Sequence, residues 1–526
     1  MISGSYSVKR GDYINGGQVS SKIKEVLSKL GIASEIIRRV MIAVYEAEMN
    51  LIIHSYGGEI QFFLEDNRID IIVKDTGPGI PRIELAIKEG YSTAPEEARE
   101  MGFGAGMGLP NIQKNSDLFV IHSSSNGTVL NISIYLKMTI EHEYIHSFVG
   151  VESEKCKKCM QCIKVCPTRA IRVWEDKVHI ISNRCINCNQ CIHVCPTGVF
   201  KLEIDNRGIK EGNKKVFIVP LPMFASLGKY KITSDYLRLL REEKGINLYP
   251  LMLWEEVLKN KVHEYVLSEQ NNVALPVILP LCPAVVYWIQ TEYPSLVKHI
   301  APYLTPIQSA IDNFTNDIEI TVVPSCPSQI CALKVEENLN KKVNILDPFE
   351  ALNYFRKLEV GALPNEESYE LSNYNVSKSD SVVITGLESV RMFLMSLEKK
   401  QLPFMPKIVE LYTCRGGCYG APFWGKEPET TRLYFENKWQ EIKQSSESIG
   451  ELKVQFRVTG LKPRRGIRLD ENIQKAMRKL TDIEQKNRIL PGRDCGICGA
   501  PTCLDFAEDI VLNNIDVKHC PYIIKE

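Results

Sequence analysis

The first 138 residues contain no cysteine, which excludes a disulfide or a thiolate metal site there. Net charge is absent as well. The 64 acidic side chains balance 64 basic ones, so no global basic field argues for nucleic acid. The opening stretch MISGSYSVKRGDYINGG has no apolar signal core. Long hydrophobic runs are missing too. The longest, Val277–Ile289, is short and broken by prolines, and reads as a buried core segment, not a membrane span. No low-complexity segment stands out. Without a secretion signal, the 17 cysteines read as metal ligands and not as disulfides. The expected place is a reducing, oxygen-poor cytoplasm.

What is present is enough chain for roughly three to five domains, with 44 % hydrophobic and 24 % charged residues, ordinary for a globular protein. The expected boundaries are 1–138, 139–205, 206–445 and 446–526. The first zone mixes amphipathic helices (Val19–Leu30, Ser34–His54) with alternating strands (Glu59–Glu65, Arg68–Lys74, Thr128–Leu136). The second holds eight cysteines, the third five, and the last a charged helical stretch (Glu471–Lys486) followed by four cysteines.

Three motifs follow one another in the first zone. Glu46 and Asn50 lie four apart on an apolar-periodic helix and share a face. Asp75-Thr-Gly77-Pro-Gly79 follows a strand, and Gly102-Phe-Gly104-Ala-Gly106-Met-Gly108 opens a helical stretch. Glycines let backbone approach phosphate, and a helix N-terminus favours anions. Each motif alone reads as a turn or a solvated face; the ordered trio points to a nucleotide. It resembles the GHKL ATPase superfamily, specifically bacterial anti-sigma and partner-switching serine kinases. That resemblance implies an α/β sandwich binding ATP with Mg²⁺. Asn50 would hold the metal, and Glu46 would polarise an attacking hydroxyl as the catalytic residue. Asp75 would read adenine, while Gly77, Gly79, Gly104, Gly106 and Gly108 shape pocket and lid.

Cys156-x2-Cys159-x2-Cys162-x3-Cys166-Pro repeats as Cys185-x2-Cys188-x2-Cys191-x3-Cys195-Pro. This is the spacing of bacterial two-cluster ferredoxins, in which each fourth cysteine serves the other cluster. Cys156, Cys159, Cys162 and Cys195 would hold one cubane, and Cys185, Cys188, Cys191 and Cys166 the other. Zinc also takes Cys-x2-Cys pairs, but two complete runs with trailing proline favour iron–sulfur.

The third zone carries Leu281-Cys282-Pro, Pro324-Ser-Cys326-Pro and Cys414-Arg-Gly-Gly-Cys418. Isolated buried thiols are the plain reading. In this order after ferredoxin clusters, however, the loops resemble the [FeFe]-hydrogenase large subunit, in its sensory branch. Glu410 fits the third loop. The resemblance implies that Cys282, Cys326, Cys414 and Cys418 hold a cubane, and that Cys418 also bridges to a di-iron subcluster. The departures are pointed. Leu281 replaces the family's proton-donating cysteine, Gln329 its cyanide-contacting lysine (Lys334 is displaced), and Pro324 and Tyr412 its packing methionines. Fast hydrogen turnover is not expected, and whether the di-iron unit is bound stays open.

Cys495-Gly-Ile-Cys498-Gly-Ala-Pro-Thr-Cys503, a helix over Leu504–Asn513 and Cys520-Pro complete the set. Iron–sulfur and zinc both suit four thiols; the segment resembles small four-cysteine [4Fe–4S] domains. Sixteen cysteines are then assigned, about four cubanes in all, which leaves Cys331 as a packed thiol.

The fold expected is multidomain α/β and α+β: GHKL sandwich, two-cluster ferredoxin, hydrogenase-like α/β domain and small four-cysteine domain. The leading functional expectation is a redox- or hydrogen-responsive regulator with a serine/threonine kinase-like output domain. Its partners would be a regulatory protein or kinase substrate and a redox protein such as ferredoxin or hydrogenase. A slow hydrogenase or electron-transfer subunit, and a noncatalytic cluster scaffold, are the rivals.

Overall fold

Alternating apolar and polar residues build the N-terminal sheet. In the computed structural model its strands are β1 (Ile2–Val8), β2 (Gly58–Leu64), β3 (Arg68–Asp75), β4 (Leu118–Ser124) and β5 (Gly127–Tyr135). They pair antiparallel in the order β1-β2-β3-β5-β4. The residues described are 2–65, 68–100, 104–136, 147–204, 215–226, 234–268, 273–315, 318–335, 343–358, 381–424, 427–444, 452–457, 461, 469–470, 473–513 and 515–523. Every second side chain of the inner strands is buried: Ile60, Phe62 and Leu64, then Ile69, Ile71 and Val73, then Leu130, Ile132 and Ile134.

Helices α1 (Gln18–Lys29) and α2 (Ser34–His54) pack together, and α2 meets β1, β3 and β5. Val40, Ala43, Val44, Ala47 and Leu51 of α2 are buried at three- and four-residue spacing. Each fully buried aliphatic side chain as large as Leu contributes about 1.5–3 kcal/mol. α1 begins where Gly17 turns left-handed, and its first amides have no intrahelical acceptor. Glu48 of α2 supplies one: its carboxylate accepts from Val19 N at 3.2 Å and Ser20 N at 3.4 Å. Burial raises the Glu48 pKa, and those amides hold it back.

The chain divides into two compact units. Met1–Glu143 groups with Pro463–Arg493 and Cys503–Glu526; Tyr144–Lys462 groups with Asp494–Thr502. In the first unit Leu469 N donates to Lys29 O at 3.1 Å, so the returning chain docks on the end of α1. Its helices Ile473–Ile489 and Cys503–Asn513 pack against each other.

The second unit opens with two small ribbons, β6 (Val149–Val151) with β9 (Phe200–Leu202) and β7 (Ile171–Trp174) with β8 (Lys177–Ile180). The short helices α4 (Gln161–Val165) and α5 (Gln190–Val194) lie between. Two parallel sheets follow. One is ordered β11-β10-β13-β14, from β10 (Lys215–Val219), β11 (Ile246–Pro250), β13 (Ile320–Val322) and β14 (Val343–Ile345). The other is β12-β16-β15, from β12 (Val277–Ile278), β15 (Ser381–Thr385) and β16 (Ile408–Tyr412). The helices used below are α6 (Met252–Ser268), α7 (Pro283–Glu292) and α8 (Pro327–Val335). Among the described residues no helix is long and apolar enough to cross a membrane.

Candidate functional site

In the first unit, Glu46 and Asn50 stand one turn apart on α2, facing α3 (Gly108–Lys114). Asn111 Nδ2 donates to Glu46 Oε1 at 2.7 Å, which fixes the carboxylate. A Cβ on Gly108 would lie 3.0 Å from Asn50 Oδ1, so the start of α3 closes directly on Asn50. Asp75 ends β3, and its Oδ1 accepts from Gly77 N at 2.7 Å and Thr128 N at 3.0 Å. Gly79 has φ +75°, and a Cβ there would sit 2.0 Å from Ser124 O. Gly106 has φ +72°, and its carbonyl accepts from Gly90 N at 3.0 Å. Gly104 lies at the edge of this loop against Ala94; Gly102 is outside the described residues. Sequence reasoning passed over Asn111 and Thr128. Asn111 stands three residues after Gly108 in the same glycine motif, and that was the signal available.

The ferredoxin-like runs repeat in backbone as well as sequence. Lys158 and Asn187, two after each first cysteine, have φ 54° and 56°. Met160 and Asn189, one after each second cysteine, have φ 58° and 61°. Left-handed Lys and Met are unfavourable without a constraint, so both loops are held in a wrap. Burial pushes the Cys162 thiol up to about 12, with Cys156, Cys159 and Cys195 adding like-charge repulsion. Burial likewise pushes Cys185 up to about 11 and raises Cys188 and Cys191, with Cys166 among the repelling neighbours of all three. Cys166, Cys185, Cys188 and Cys191 line one cavity. Cys195 is thus a neighbour of the first run and Cys166 of the second.

These thiols fit an iron–sulfur cluster chemically. Clustered, mutually repelling sulfurs, most of them half-buried, are costly as free thiolates and would be neutralised by bound iron. Backbone amides point at them: Lys158 N to Cys156 Sγ at 3.4 Å, Ala170 N to Cys166 Sγ at 3.2 Å, Val199 N to Cys195 Sγ at 3.3 Å. Burial raises the Cys195 thiol, yet the amides of Val199, Thr197 and Gly198 outweigh it and leave it lowered.

The third set is assembled from the carboxyl ends of parallel strands, where α/β folds gather ligands. Cys282 follows β12 and caps α7; Cys326 follows β13 and precedes α8; Cys414 and Cys418 follow β16. Proline begins both helices, a position where its missing N–H costs nothing. Burial raises Cys326 to about 11, and raises Cys414 and Cys418 further; Cys282 repels Cys326, Cys326 and Cys282 repel Cys414, and all three repel Cys418.

The side chains around this set have partners of their own. Leu281 is buried in an apolar core with Val285 and Trp288. Gln329 Oε1 accepts from Ser325 N at 2.7 Å and so braces the Cys326 loop. The Lys334 ammonium lies 5.0 Å over the Phe148 ring. Glu410 pairs with Lys259 at 2.9 Å and accepts from the Tyr412 hydroxyl at 3.3 Å. Glu255, also on α6, is raised by burial and is the first charge that repels Cys418. Neither Glu255 nor Lys259 was singled out from sequence, because α6 carries no cysteine motif to mark it. Cys331 is fully buried beside Ile330 in the apolar core, near enough to Cys185 to add to its rise.

Of the last four cysteines, Cys495 and Cys498 fall in the second unit and Cys503 and Cys520 in the first. Val173 N donates to Gly499 O at 2.9 Å, which ties the Cys495–Cys498 loop to β7. Cys503 starts its helix, and Cys520 is buried after the turn Val517–His519.

Comparison with known proteins returns the same parts. Residues 14–134 match the family described as histidine kinase-like ATPase domain, 155–199 the 4Fe-4S dicluster domain, and 490–522 the putative Fe-S cluster family. The anti-sigma F factor of Caldanaerobacter subterraneus subsp. tengcongensis is 35 % identical over 108 residues, 19 % of this chain and 72 % of that protein. The serine/threonine-protein kinase RsbT of Bacillus subtilis is 28 % identical over 119 residues, 22 % of this chain and 84 % of that one. Apo [FeFe]-hydrogenase from Chlamydomonas reinhardtii superposes with TM-score 0.34 at 11 % identity, over 48 % of this chain and 94 % of that one.

Proposed function

The chain belongs, through residues 14–134, to the anti-sigma F factor family of histidine kinase-like ATPases, and from that premise we propose that it is a regulator whose nucleotide-domain output follows the redox state of its iron–sulfur clusters. The observation that carries this reading is the convergence of Cys282, Cys326, Cys414 and Cys418 at strand ends, beside a two-cluster ferredoxin segment in the same unit. Bound [4Fe–4S] clusters supply one-electron storage and transfer.

In the nucleotide pocket Asn50 is the Mg²⁺ ligand and Glu46, oriented by Asn111, is the base for a partner's serine or threonine hydroxyl. Asp75 receives the adenine amino group, on a carboxylate whose Oδ1 is already fixed by Gly77 and Thr128. Gly77, Gly79, Gly104, Gly106 and Gly108 let the backbone close around the phosphates. The partner is a regulatory protein, phosphorylated or sequestered, in a reducing cytoplasm; electrons arrive from a redox protein.

Sixteen thiols in four sets make the expected load about four cubanes, hence about sixteen irons, with about two more if Cys418 bridges a di-iron subcluster. Leu281 offers no proton where the hydrogenase family donates one, so hydrogen is turned over slowly or not at all. Anaerobic reconstitution with iron and sulfide analysis tests this reading. Saturation near about eight irons would leave only the ferredoxin pair and overturn the four-site assignment.

A further inference from the structure

Asn189 sits between two ligands of the second ferredoxin run, Cys188 and Cys191, and is almost wholly buried. Its Oδ1 lies 3.6 Å from the Sγ of Cys414, in the third ligand set. Its Nδ2 is buried with no hydrogen-bond partner among the described residues. The left-handed backbone alone does not account for this side chain, because Met160 holds the same φ in the first run. A lone buried amide donor is costly unless it finds an acceptor.

The chemistry of Cys414 supplies one. A neutral thiol can donate to Oδ1, but a metal-bound thiolate has no proton and faces that oxygen lone pair to lone pair. Turning the terminal amide by half a rotation exchanges oxygen and nitrogen in the same volume. Nδ2 then points at the sulfur. One rotation removes the orphaned donor and the repulsion together.

We propose that Asn189 donates an N–H to the Cys414 thiolate, joins the second ferredoxin run to the third cluster, and holds that cluster's reduction potential up. The inference rests on the reading of Cys414 as a cluster ligand. Reduction adds negative charge to a cluster, so a donor at its sulfur favours the reduced form. A charge-assisted hydrogen bond contributes enough to matter at about the tenfold level.

Neighbouring Gln190 provides the control. Its Nε2 donates to Thr413 O at 3.2 Å, so its side chain ties the same two loops through the backbone and not through the Cys414 sulfur. The experiment is an EPR-monitored potentiometric titration of the anaerobically reconstituted full chain, with Cys414→Ser used to identify the signal. Asn189→Gly keeps the left-handed backbone and removes the amide. It should lower one midpoint by roughly tenfold in the reduction equilibrium, about 59 mV for one electron. Asn189→Asp should lower it further, and Gln190→Ala should leave it in place. An unmoved midpoint in Asn189→Gly at full iron load, or an equal shift in Gln190→Ala, would overturn the inference while leaving the cluster assignment intact. A wild-type load near about eight irons would remove the third cluster itself, and this proposal with it.

Discussion

The ferredoxin-like segment and the Cys282–Cys418 set use the same ligand in opposite ways. The first packs eight cysteines into two contiguous loops with matching left-handed turns at 158 and 187 and at 160 and 189. The second draws four cysteines from the ends of three strands in two sheets. In the contiguous site the local backbone does most of the positioning. In the assembled site the surrounding side chains do it: Leu281 packs in the core, Gln329 braces a loop, and Glu410 is held by Lys259. One ligand set is positioned by its own loops, the other by the packing around it.

The largest effect expected from breaking this contrast is on metal content. Cys326→Ser should remove about four irons of about sixteen, with the ferredoxin signals intact. Cys188→Ser should act the other way, emptying the cavity lined by Cys166, Cys185 and Cys191. Iron and sulfide assays with EPR check both; loss of all clusters from either variant would show that the two regions do not load independently.

The nucleotide pocket is a third style of site, polar and held by hydrogen bonds. Asn50→Ala should weaken Mg–nucleotide binding at least about 100-fold if the metal ligand is lost. Glu46→Gln should bind normally and lose roughly 10²–10⁴-fold in any phosphoryl transfer. Calorimetry and single-turnover assays distinguish them. Unchanged affinity in Asn50→Ala would show the site misplaced.

Leu281 tests whether the surroundings of the third set are structural. Leu281→Ala should cost about 2–5 kcal/mol of stability in denaturant titration, because a buried leucine leaves a cavity. A cost under about 1 kcal/mol would mean the side chain is not held by its core.

How much of this was legible beforehand follows the same contrast. Helices α1 and α2, strands β2, β3 and β5, and the internal repeat were readable because periodicity and spacing are local. Strands β1 and β4 were passed over: the first is a polar-rich edge, ISGSYSV, and the second is mostly half-exposed. The return of 463–493 to the N-terminal unit depends on tertiary packing that no motif marks. The cysteines of the third set were expected from a resemblance alone, and no motif marks Glu255, Lys259 or Asn189. Their roles exist only once α6, the ferredoxin loop and the β16 end have come together.

The smallest expected effect is a pH slope. His299 is buried, its Nδ1 is 3.1 Å from Pro276 O, and burial, with nearby Lys298, lowers its pKa below 6.5. The unfolded chain therefore binds the proton first as pH falls through about 6.5. Stability contributed by neutral His299 is present above that pH and lost below it, at about 1.4 kcal/mol per unit of pKa difference. His299→Gln should flatten the difference between pH 7.5 and 5.5 in denaturant titrations. A slope identical to wild type would assign the effect elsewhere.

The central claim is that nucleotide and cluster states are energetically linked, and linkage is reciprocal. If reduction changes nucleotide affinity tenfold, nucleotide must shift a one-electron midpoint by about 59 mV. The direct measurement is the nucleotide dissociation constant of the reconstituted full chain when oxidised, reduced and hydrogen-treated, paired with the cluster midpoints with and without nucleotide. Reduction should change the affinity, and nucleotide should shift the midpoint to match. Equal affinities in all three states, with midpoints indifferent to nucleotide, would contradict it.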